Sequence, residues 1–326
     1  MKAVLCVRHA PAEDLEFVDL PDPVAGPGEV VVTVAAIGLN FFDTLIIRDL
    51  YQTKPDLPFS PGGEFSGVVS ALGDGVTDLA LGDRVAGYVT YGAAREKVVV
   101  PANTLARVPD GLDMVRAAGL TVTYGTSLYA LRDRGELKPG ETLAVLGAAG
   151  GVGLAAVELG KILGARVIAC ASSPDKIDFA KSHGADEGID YTQEDLKAAL
   201  KRLGGEKGID VIYDPVGGEQ SEQAVRSLAW FGRLLVIGFA AGSIPKLPLN
   251  LLLLKNCDAR GVAFGTNARR NPAWMRAALQ ELFGYAVEGR ISAHVDKTFP
   301  LERCVEALGE ISGRRVKGKV VLTTGL

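Results

Sequence analysis

Residues 143–165 read LAVLGAAGGVGLAAVELGKILGA and place an apolar strand, a glycine turn and an apolar helix in immediate succession. The turn, residues 148–153, follows a GxGxxG pattern with alanine at the first position. Without side chains, Gly150 and Gly151 let the backbone approach a pyrophosphate, and a helix beginning near Val152 directs its N–H groups and positive dipole end at it. This position between strand and helix favours a dinucleotide site over a glycine cluster without a ligand.

Strand-like and helical segments alternate around this turn. The predicted strands are residues 142–147, 166–171, 210–213 and 233–239. The predicted helices are residues 154–163, 175–182, 194–203 and 219–228. This alternation predicts a doubly wound parallel sheet with helices on both faces.

The flanking parts of the chain have a different pattern. Short runs of alternating apolar and polar residues before residue 110 predict mostly antiparallel strands at 29–34, 64–71, 83–89 and 96–100. Helical spacing covers residues 114–134, 272–288 and 301–312. A last strand, residues 319–322, is expected to rejoin the first domain. The chain is therefore expected to be α/β, with a β-rich domain and a parallel-sheet domain.

Composition narrows the possible classes of function. The chain has 326 residues, which predicts two domains at roughly 150 residues each. It is 48% hydrophobic and 23% charged, which excludes a disordered chain. Its net charge of -4 lacks the positive excess that is typical of nucleic-acid-binding proteins. Glycine is the outlier, at 40 residues or about 12% against about 7% on average, so the backbone must approach other groups closely.

The distribution of cysteine and apolar residues bears on location. The four cysteines form no CxxC pair, so no disulfide framework or zinc knuckle is expected. The N-terminus lacks the apolar core of a signal peptide, and no apolar run approaches the roughly 20 residues of a membrane helix. These features lead us to expect a cytoplasmic protein in a reducing compartment.

The end of the second predicted parallel strand bears on the choice of dinucleotide. NAD-binding folds usually carry an acidic residue there, and Ser172 stands in its place. A serine hydroxyl can donate to the 2'-phosphate of NADP and Lys176 can neutralise it, so the sequence favours NADPH. Alternatively, Lys176 is a solvated residue at a helix start, and Asp175 is close enough to weaken the preference.

As a whole, the chain resembles the medium-chain dehydrogenase/reductase superfamily and, within it, the zinc-independent NADPH:quinone oxidoreductases. The matching segments are residues 38–44 (GLNFFDT), 61–67 (PGGEFSG), 81–85 (LGDRV), 148–153, 214–218 (DPVGG) and 318–322 (GKVVL). The resemblance implies a GroES-like catalytic domain of residues 1–120 and 266–326. It also implies a Rossmann NADPH-binding domain of residues 121–265, with the active site in the cleft between the two.

The departures from the alcohol-dehydrogenase branch of this superfamily narrow the chemistry. That branch has a Cys in the first motif and a His before Glu in the second, whereas this sequence has Asn40 and Gly63 there. The three histidines lie in unrelated segments, so no zinc is expected. A quinone or enone spreads the arriving charge over its own conjugated system, so a metal-free site suits it better than a simple ketone.

The resemblance also implies roles for individual residues. Asn40 would face the nicotinamide and the substrate, Tyr51 would stack on a flat substrate and donate to its oxygen, and Thr126 would approach the nicotinamide ribose or amide. Each has a structural alternative, as a turn cap, a packed ring or a helix-bonded hydroxyl respectively. Glu64 is expected to be a buried carboxylate paired with an arginine. Leu45 replaces a tyrosine of some quinone reductases, which makes the substrate pocket more apolar.

Further residues are implied for the cofactor. Around the adenosine phosphate, Tyr191 and Arg314 would join Ser172 and Lys176. Three further cations, Arg315, Lys317 and Lys319, lie in the same run as Arg314. The sequence therefore leaves open which of these cations contacts the phosphate. The alternative for this run is solvated charge without a ligand. The nicotinamide carboxamide would be met by the backbone at Gly238, Phe239 and Ala240 and by that from Val262 to Phe264.

These features lead us to expect an NADPH-dependent, zinc-independent quinone oxidoreductase. The alternatives are an enone, enal or enoyl-thioester reductase that uses the same hydride geometry, and a non-catalytic NADPH-binding protein. A homodimer is expected through residues 256–265, where the resemblance places an edge strand. Pairing of this strand across a twofold axis would remove exposed backbone groups. The physiological acceptor, the choice between one- and two-electron reduction, and dimer against tetramer stay open.

Overall fold

Strands dominate the N-terminal part of the chain, as the alternating pattern predicts. In the computed structural model, which describes residues 1–326, this part runs through β1 (Lys2–Leu5), β2 (Glu16–Asp19), β3 (Glu29–Leu39), α1 (Phe41–Ile46), β4 (Glu64–Leu72), β5 (Arg84–Tyr88), β6 (Lys97–Pro101), β7 (Leu105–Arg107) and α2 (Met114–Leu128). A π-helical segment, Tyr129–Arg134, continues α2.

Strands and helices then alternate. The elements are β8 (Thr142–Leu146), α3 (Gly151–Ile162), β9 (Arg166–Ala171), α4 (Pro174–Ser182), β10 (Glu187–Asp190), α5 (Leu196–Gly204), β11 (Ile209–Asp214), α6 (Gly218–Val225), β12 (Leu228–Val236), α7 (Leu249–Lys255) and β13 (Asp258–Gly261). The chain ends with α8 (Phe264–Arg270), α9 (Pro272–Val287), β14 (Val295–Pro300), α10 (Cys304–Ser312) and β15 (Lys319–Thr323).

The chain divides into two units. The first contains residues 1–125 and 265–326, and the second contains residues 126–264. The first junction lies five residues later than the boundary expected after residue 120, because α2 runs through it without a break.

The second unit is built on a six-stranded parallel sheet of order β10-β9-β8-β11-β12-β13. Its central strand β8 is apolar and almost wholly buried, as a strand covered on both faces must be. The helices α3 to α6 connect successive strands. The predicted doubly wound parallel sheet is therefore confirmed.

The first unit is built on a seven-stranded sheet of order β14-β15-β3-β4-β5-β7, and β6 pairs with β3. Its ladders are antiparallel except for the β14–β15 pair. The last strand pairs with β3, so that Val320 lies opposite Leu39. The prediction that the C-terminal strand rejoins the first domain is confirmed, and this pairing brings Lys319 beside the end of β3.

Several predicted boundaries are wrong, among them two around β12. The helix predicted to end at Leu228 ends at Val225, and Leu228 opens β12. The strand predicted to reach Phe239 ends at Val236, because the N–H group of Ala240 turns back to the carbonyl of Pro215. None of the helices is long and apolar enough to span a bilayer.

Candidate active site and cofactor site

Three strand ends bring polar side chains together inside the first unit. Asn40 follows β3, Glu64 opens β4 and Lys319 opens β15. In the ladders, Gly38 lies opposite Glu64 and Leu39 lies opposite Val320. The sheet register therefore places the three side chains side by side, and we call them the Asn40 cluster.

The side chains of the Asn40 cluster satisfy one another. The amide nitrogen of Asn40 donates to Glu64 Oε1 over 2.8 Å, and Lys319 Nζ donates to Asn40 Oδ1 over 2.6 Å. Lys319 also forms an ion pair with Glu64, whose second oxygen accepts from the N–H group of Val122 over 2.5 Å. Glu64 is wholly buried and Lys319 is 4% exposed. The amide plane of Asn40 is thus fixed from two sides.

This arrangement corrects two expectations. The partner of Glu64 is Lys319 rather than an arginine, because the strand beside β3 begins with that lysine. The same contacts remove Lys319 from the candidate cations for the cofactor phosphate. Sequence reasoning missed this role, although Lys319 is the one charge at the start of an otherwise apolar strand, KVVL.

Asp43 supports the cluster from α1. Its carboxylate accepts from the N–H group of Asn40 over 2.7 Å and from that of Gly62 over 3.0 Å. The pKa of Asp43 is raised to about 7, because burial and, more weakly, the nearby Glu64 carboxylate outweigh the lowering by these hydrogen bonds and Lys319. Sequence reasoning gave Asp43 no role, although its position three residues after Asn40 is the spacing of a reciprocal helix cap.

Tyr51 packs against α1, the helix that follows Asn40. Its ring stacks on Phe42, with centroids 5.4 Å apart and planes 25° apart. Burial raises the pKa of Tyr51 to about 12, with smaller contributions from Tyr88 and Asp43. The phenol is therefore protonated at neutral pH and can donate a hydrogen bond.

Close packing restricts the residues around these side chains. A Cβ at Gly38 would lie 2.5 Å from Glu64 Oε1, and one at Gly63 would lie 2.4 Å from the Phe42 ring. Of the apolar side chains in the first unit, Leu45, expected to line the substrate pocket, is half-buried, and Phe59 is buried in the core. Glycines at positions 38 and 63 thus leave room for the carboxylate and the ring.

The glycine turn lies in the second unit, between β8 and α3. Gly150 caps α3, which begins at Gly151 rather than near Val152, and the free N–H groups of its first turn include those of Gly151 and Val152. A Cβ at Gly153 would lie 2.1 Å from the Gly147 carbonyl oxygen, so the turn requires glycine there. This is the geometry of an anion-binding helix N-terminus.

Two residues that sequence reasoning missed fix the start of α3. The hydroxyl of Ser127 donates to the Val152 carbonyl over 2.9 Å, and it lies 2.8 Å from the Tyr213 hydroxyl. Both side chains are buried. Neither residue stands out in the sequence, because other polar residues lie within a few positions of each.

Ser172 and Lys176 lie together beyond the end of β9. Lys176 Nζ donates to the Ser172 hydroxyl over 3.2 Å, and Ser173 caps α4 by accepting from the Lys176 N–H group. Tyr191 follows β10, and its N–H group donates to the Ala171 carbonyl at the end of β9. The structure thus brings Ser172, Lys176 and Tyr191 to one edge of the parallel sheet.

The remaining predicted cofactor residues are spread over both units. In the second unit, the N–H group of Gly238 donates to Asp214 and that of Ala240 to Pro215, while Phe239 is exposed and Phe264 and Thr126 are buried. In the first unit, Arg314 is exposed and has a positive φ of 55°. Its neighbour Arg315 is paired with Glu310, and together with Lys297 it lowers the pKa of that carboxyl to about 2.

Two families match this chain. Residues 26–110 match the alcohol dehydrogenase GroES-like domain, and residues 151–282 match the zinc-binding dehydrogenase family. The residues present do not fit a zinc ion: Glu64 is already bound to Lys319, and no group of three or more His, Cys, Asp or Glu side chains is placed to hold a metal. The four cysteines are free and buried, far from one another in sequence.

Named relatives match nearly the whole chain. Quinone oxidoreductase-like protein 2 of Rattus norvegicus is 41% identical over 93% of this chain and 87% of its own length. Quinone oxidoreductase of Pseudomonas aeruginosa is 37% identical over 98% of this chain and 99% of its own. The crystal structure of Escherichia coli quinone oxidoreductase complexed with NADPH has a TM-score of 0.92 at 30% identity, covering 99% and 100% of the two chains. The chain belongs to the quinone oxidoreductase family of the medium-chain dehydrogenases/reductases.

Proposed function

We propose that the protein is an NADPH-dependent, zinc-independent quinone oxidoreductase. The observation that carries the proposal is the Asn40 cluster, which holds a rigid amide without metal ligands, while the ring of Tyr51 stacks on Phe42, two residues after Asn40. The relatives that bear the quinone oxidoreductase name support the same activity.

The second unit offers residues that suit NADPH. The N–H groups at the start of α3, with Gly150 and Gly151, would hold the pyrophosphate, and Ser172 and Lys176 would hold the 2'-phosphate. Thr126, Tyr191, the backbone at 238–240 and Phe264 are proposed as further contacts, as is Arg314 from the first unit. Bound NADPH would supply the hydride.

Two side chains of the first unit are proposed to act on the quinone. Tyr51 donates a hydrogen bond to a quinone oxygen, which stabilises the negative charge that the hydride brings. The second amide N–H of Asn40 donates to the same developing charge, since the first is bound to Glu64. Hydride and one proton together convert the quinone to its hydroquinone.

Glu64 and Lys319 are positioning residues in this account. They fix the Asn40 amide, so that no reorganisation is needed when charge arrives on the substrate. A simple ketone would concentrate that charge on one alkoxide, for which the first unit offers no metal ligands. A quinone spreads the charge over its ring, so hydrogen bonds suffice.

Replacement of Tyr51 tests this proposal. Tyr51→Phe should lower kcat for quinone reduction about a hundredfold, within the range usual for a lost proton or hydrogen-bond donor. Tyr285→Phe is the matched control, because that tyrosine donates to Glu281 on α9. Unchanged kcat in Tyr51→Phe would overturn the role of Tyr51.

We further propose a cytoplasmic homodimer. The strand β13 lies at the edge of the parallel sheet, and α7, which precedes it in the chain, exposes apolar residues, among them Leu249, Leu253 and Leu254 at 76%, 75% and 66% exposure. A second copy paired along β13 would satisfy its backbone and cover this apolar surface. Four free cysteines support a reducing compartment.

A further inference from the structure

A cavity in the first unit has no part in the proposed quinone reduction. Its volume is about 300 Å³. Residues from two loops and β6 line it, among them Phe59, Tyr91, Arg95 and Val99. The residues of the Asn40 cluster and Tyr51 do not contribute to its wall.

Arg95 is a cation of this wall that forms no ion pair. Its Nη2 donates to the buried hydroxyl of Ser60 over 2.9 Å, and its Nε is buried without a hydrogen-bond partner. No carboxylate lies within ion-pair distance of the guanidinium, whose pKa burial lowers. A partly buried guanidinium with a buried, unsatisfied N–H group is destabilising unless an anion binds to it.

The rest of the wall defines the body of such an anion. The rings of Phe59 and Tyr91 meet edge to face with centroids 5.7 Å apart, and Val98 and Val99 add apolar surface. The exposed carboxylate of Asp56 also belongs to the wall, and it disfavours ligands with more than one negative charge. The cavity therefore suits a flat apolar body that carries a single carboxylate.

We propose that this cavity binds a small aromatic monocarboxylate, with its carboxylate on Arg95 and its ring against the Phe59–Tyr91 pair. This site is independent of the proposed quinone reduction, because it shares no residue with it. Arg95 provides charge-assisted hydrogen bonds, and the two aromatic rings provide the apolar contact.

Calorimetric titration of the full chain with benzoate tests the proposal, with benzamide as the uncharged probe of the same shape. The wild-type protein should bind benzoate saturably at one site per chain and benzamide at least tenfold more weakly. Arg95→Gln, which retains a group that can bond to Ser60, should weaken benzoate binding at least tenfold. Tyr91→Ala should do the same, and it decides the matter if Arg95→Gln does not fold.

The matched control is Arg48→Gln, because Arg48 is exposed in the same unit and does not line the cavity. It should bind benzoate as the wild type does. Wild-type affinity in Arg95→Gln or Tyr91→Ala, equal affinity for benzamide, or no saturable benzoate binding would each overturn the proposal.

Discussion

Lys319 Nζ lies 2.6 Å from Asn40 Oδ1, although the two residues are 279 positions apart in the chain. The lysine opens the last strand and the asparagine follows the third, so only the pairing of β15 with β3 brings them together. The same nitrogen neutralises the buried carboxylate of Glu64. One cation from the end of the chain thus holds both the amide and the acid of the proposed site.

Removal of this cation should destabilise the protein. Lys319→Met leaves Glu64 charged and buried, which typically costs about 3–5 kcal/mol of the free energy of unfolding. Urea unfolding measures the change. The double variant Glu64→Gln with Lys319→Met should recover a large part of the loss, because no charge remains uncompensated.

A control for this prediction is Lys54→Met. Lys54 pairs with Asp49, but both side chains are about half exposed, at 53% and 49%. Solvent screens such a pair, so the unfolding midpoint should hardly change. Equal changes in the free energy of unfolding for Lys319→Met and Lys54→Met would contradict a stabilising role of the buried Lys319–Glu64 pair.

Gly38→Ala should disturb the Asn40 cluster without a change of charge. Its Cβ would lie 2.5 Å from Glu64 Oε1, so the carboxylate must move away from Asn40. We expect a loss of about 1–3 kcal/mol in stability and a fall in kcat. Gly284→Ala on α9 is the control, since nothing lies within 4 Å of its Cβ position, and it should be neutral or slightly stabilising. A silent Gly38→Ala would show that the close packing around Glu64 is dispensable.

Asp43 should make stability depend on pH. Its pKa of about 7 in the folded protein lies above the ordinary 3.8, so the folded state binds more protons between those values. Stability should therefore fall as the pH rises through this window, by about 1.4 kcal/mol per unit of pKa difference. Asp43→Asn should lose this fall in stability with rising pH. The control Asp74→Asn, at an exposed aspartate, should show the same fall as the wild type. Thermal unfolding at several pH values measures it, and identical pH profiles of Asp43→Asn and wild type would argue against the raised pKa.

Ser172→Asp should change the cofactor preference. A carboxylate there repels the 2'-phosphate of NADPH and can accept hydrogen bonds from the ribose hydroxyls of NADH. We expect the ratio of kcat/KM for NADPH to that for NADH to fall at least tenfold. Ser182→Asp adds the same charge at the exposed end of α4 and should leave the ratio unchanged. A ratio in Ser172→Asp equal to that of the wild type would place the 2'-phosphate elsewhere.

Leu253→Glu should dissociate the proposed dimer. It places a charge on the exposed apolar surface of α7, whereas Val24→Glu, at a position 86% exposed in the first unit, should have no effect. Sedimentation velocity distinguishes the monomer from the dimer. A wild-type protein that sediments as a monomer at micromolar concentration would refute the dimer.

The sequence predicts the fold well because its signals are local. The buried run 143–146 and the glycines that follow specify a strand, a turn and a helix within one short segment. The apolar strand 319–322 could likewise be assigned to the first domain. The strand β10 was missed, because its residues EGID carry no apolar alternation.

The candidate site was less predictable because its contacts are long-range. Asn40 could be singled out by resemblance, but its partners Glu64 and Lys319 meet only through sheet register. Ser127 and Tyr213, which hold the start of α3, are 86 positions apart and had no shared pattern. Residues whose roles depend on a partner in a distant strand leave no periodic signal in one sequence.

The most direct test of the proposed function is the initial rate of NADPH oxidation, with NADH in parallel, against ortho- and para-quinones and enones, after treatment with a strong zinc chelator. We predict rapid turnover of a quinone that survives the chelator and is faster with NADPH. Turnover of an enone faster than of any quinone would favour the reductase of carbon–carbon double bonds, and NADPH binding without any turnover would favour a non-catalytic role. Loss of activity on chelation, or a preference for NADH, would contradict the account.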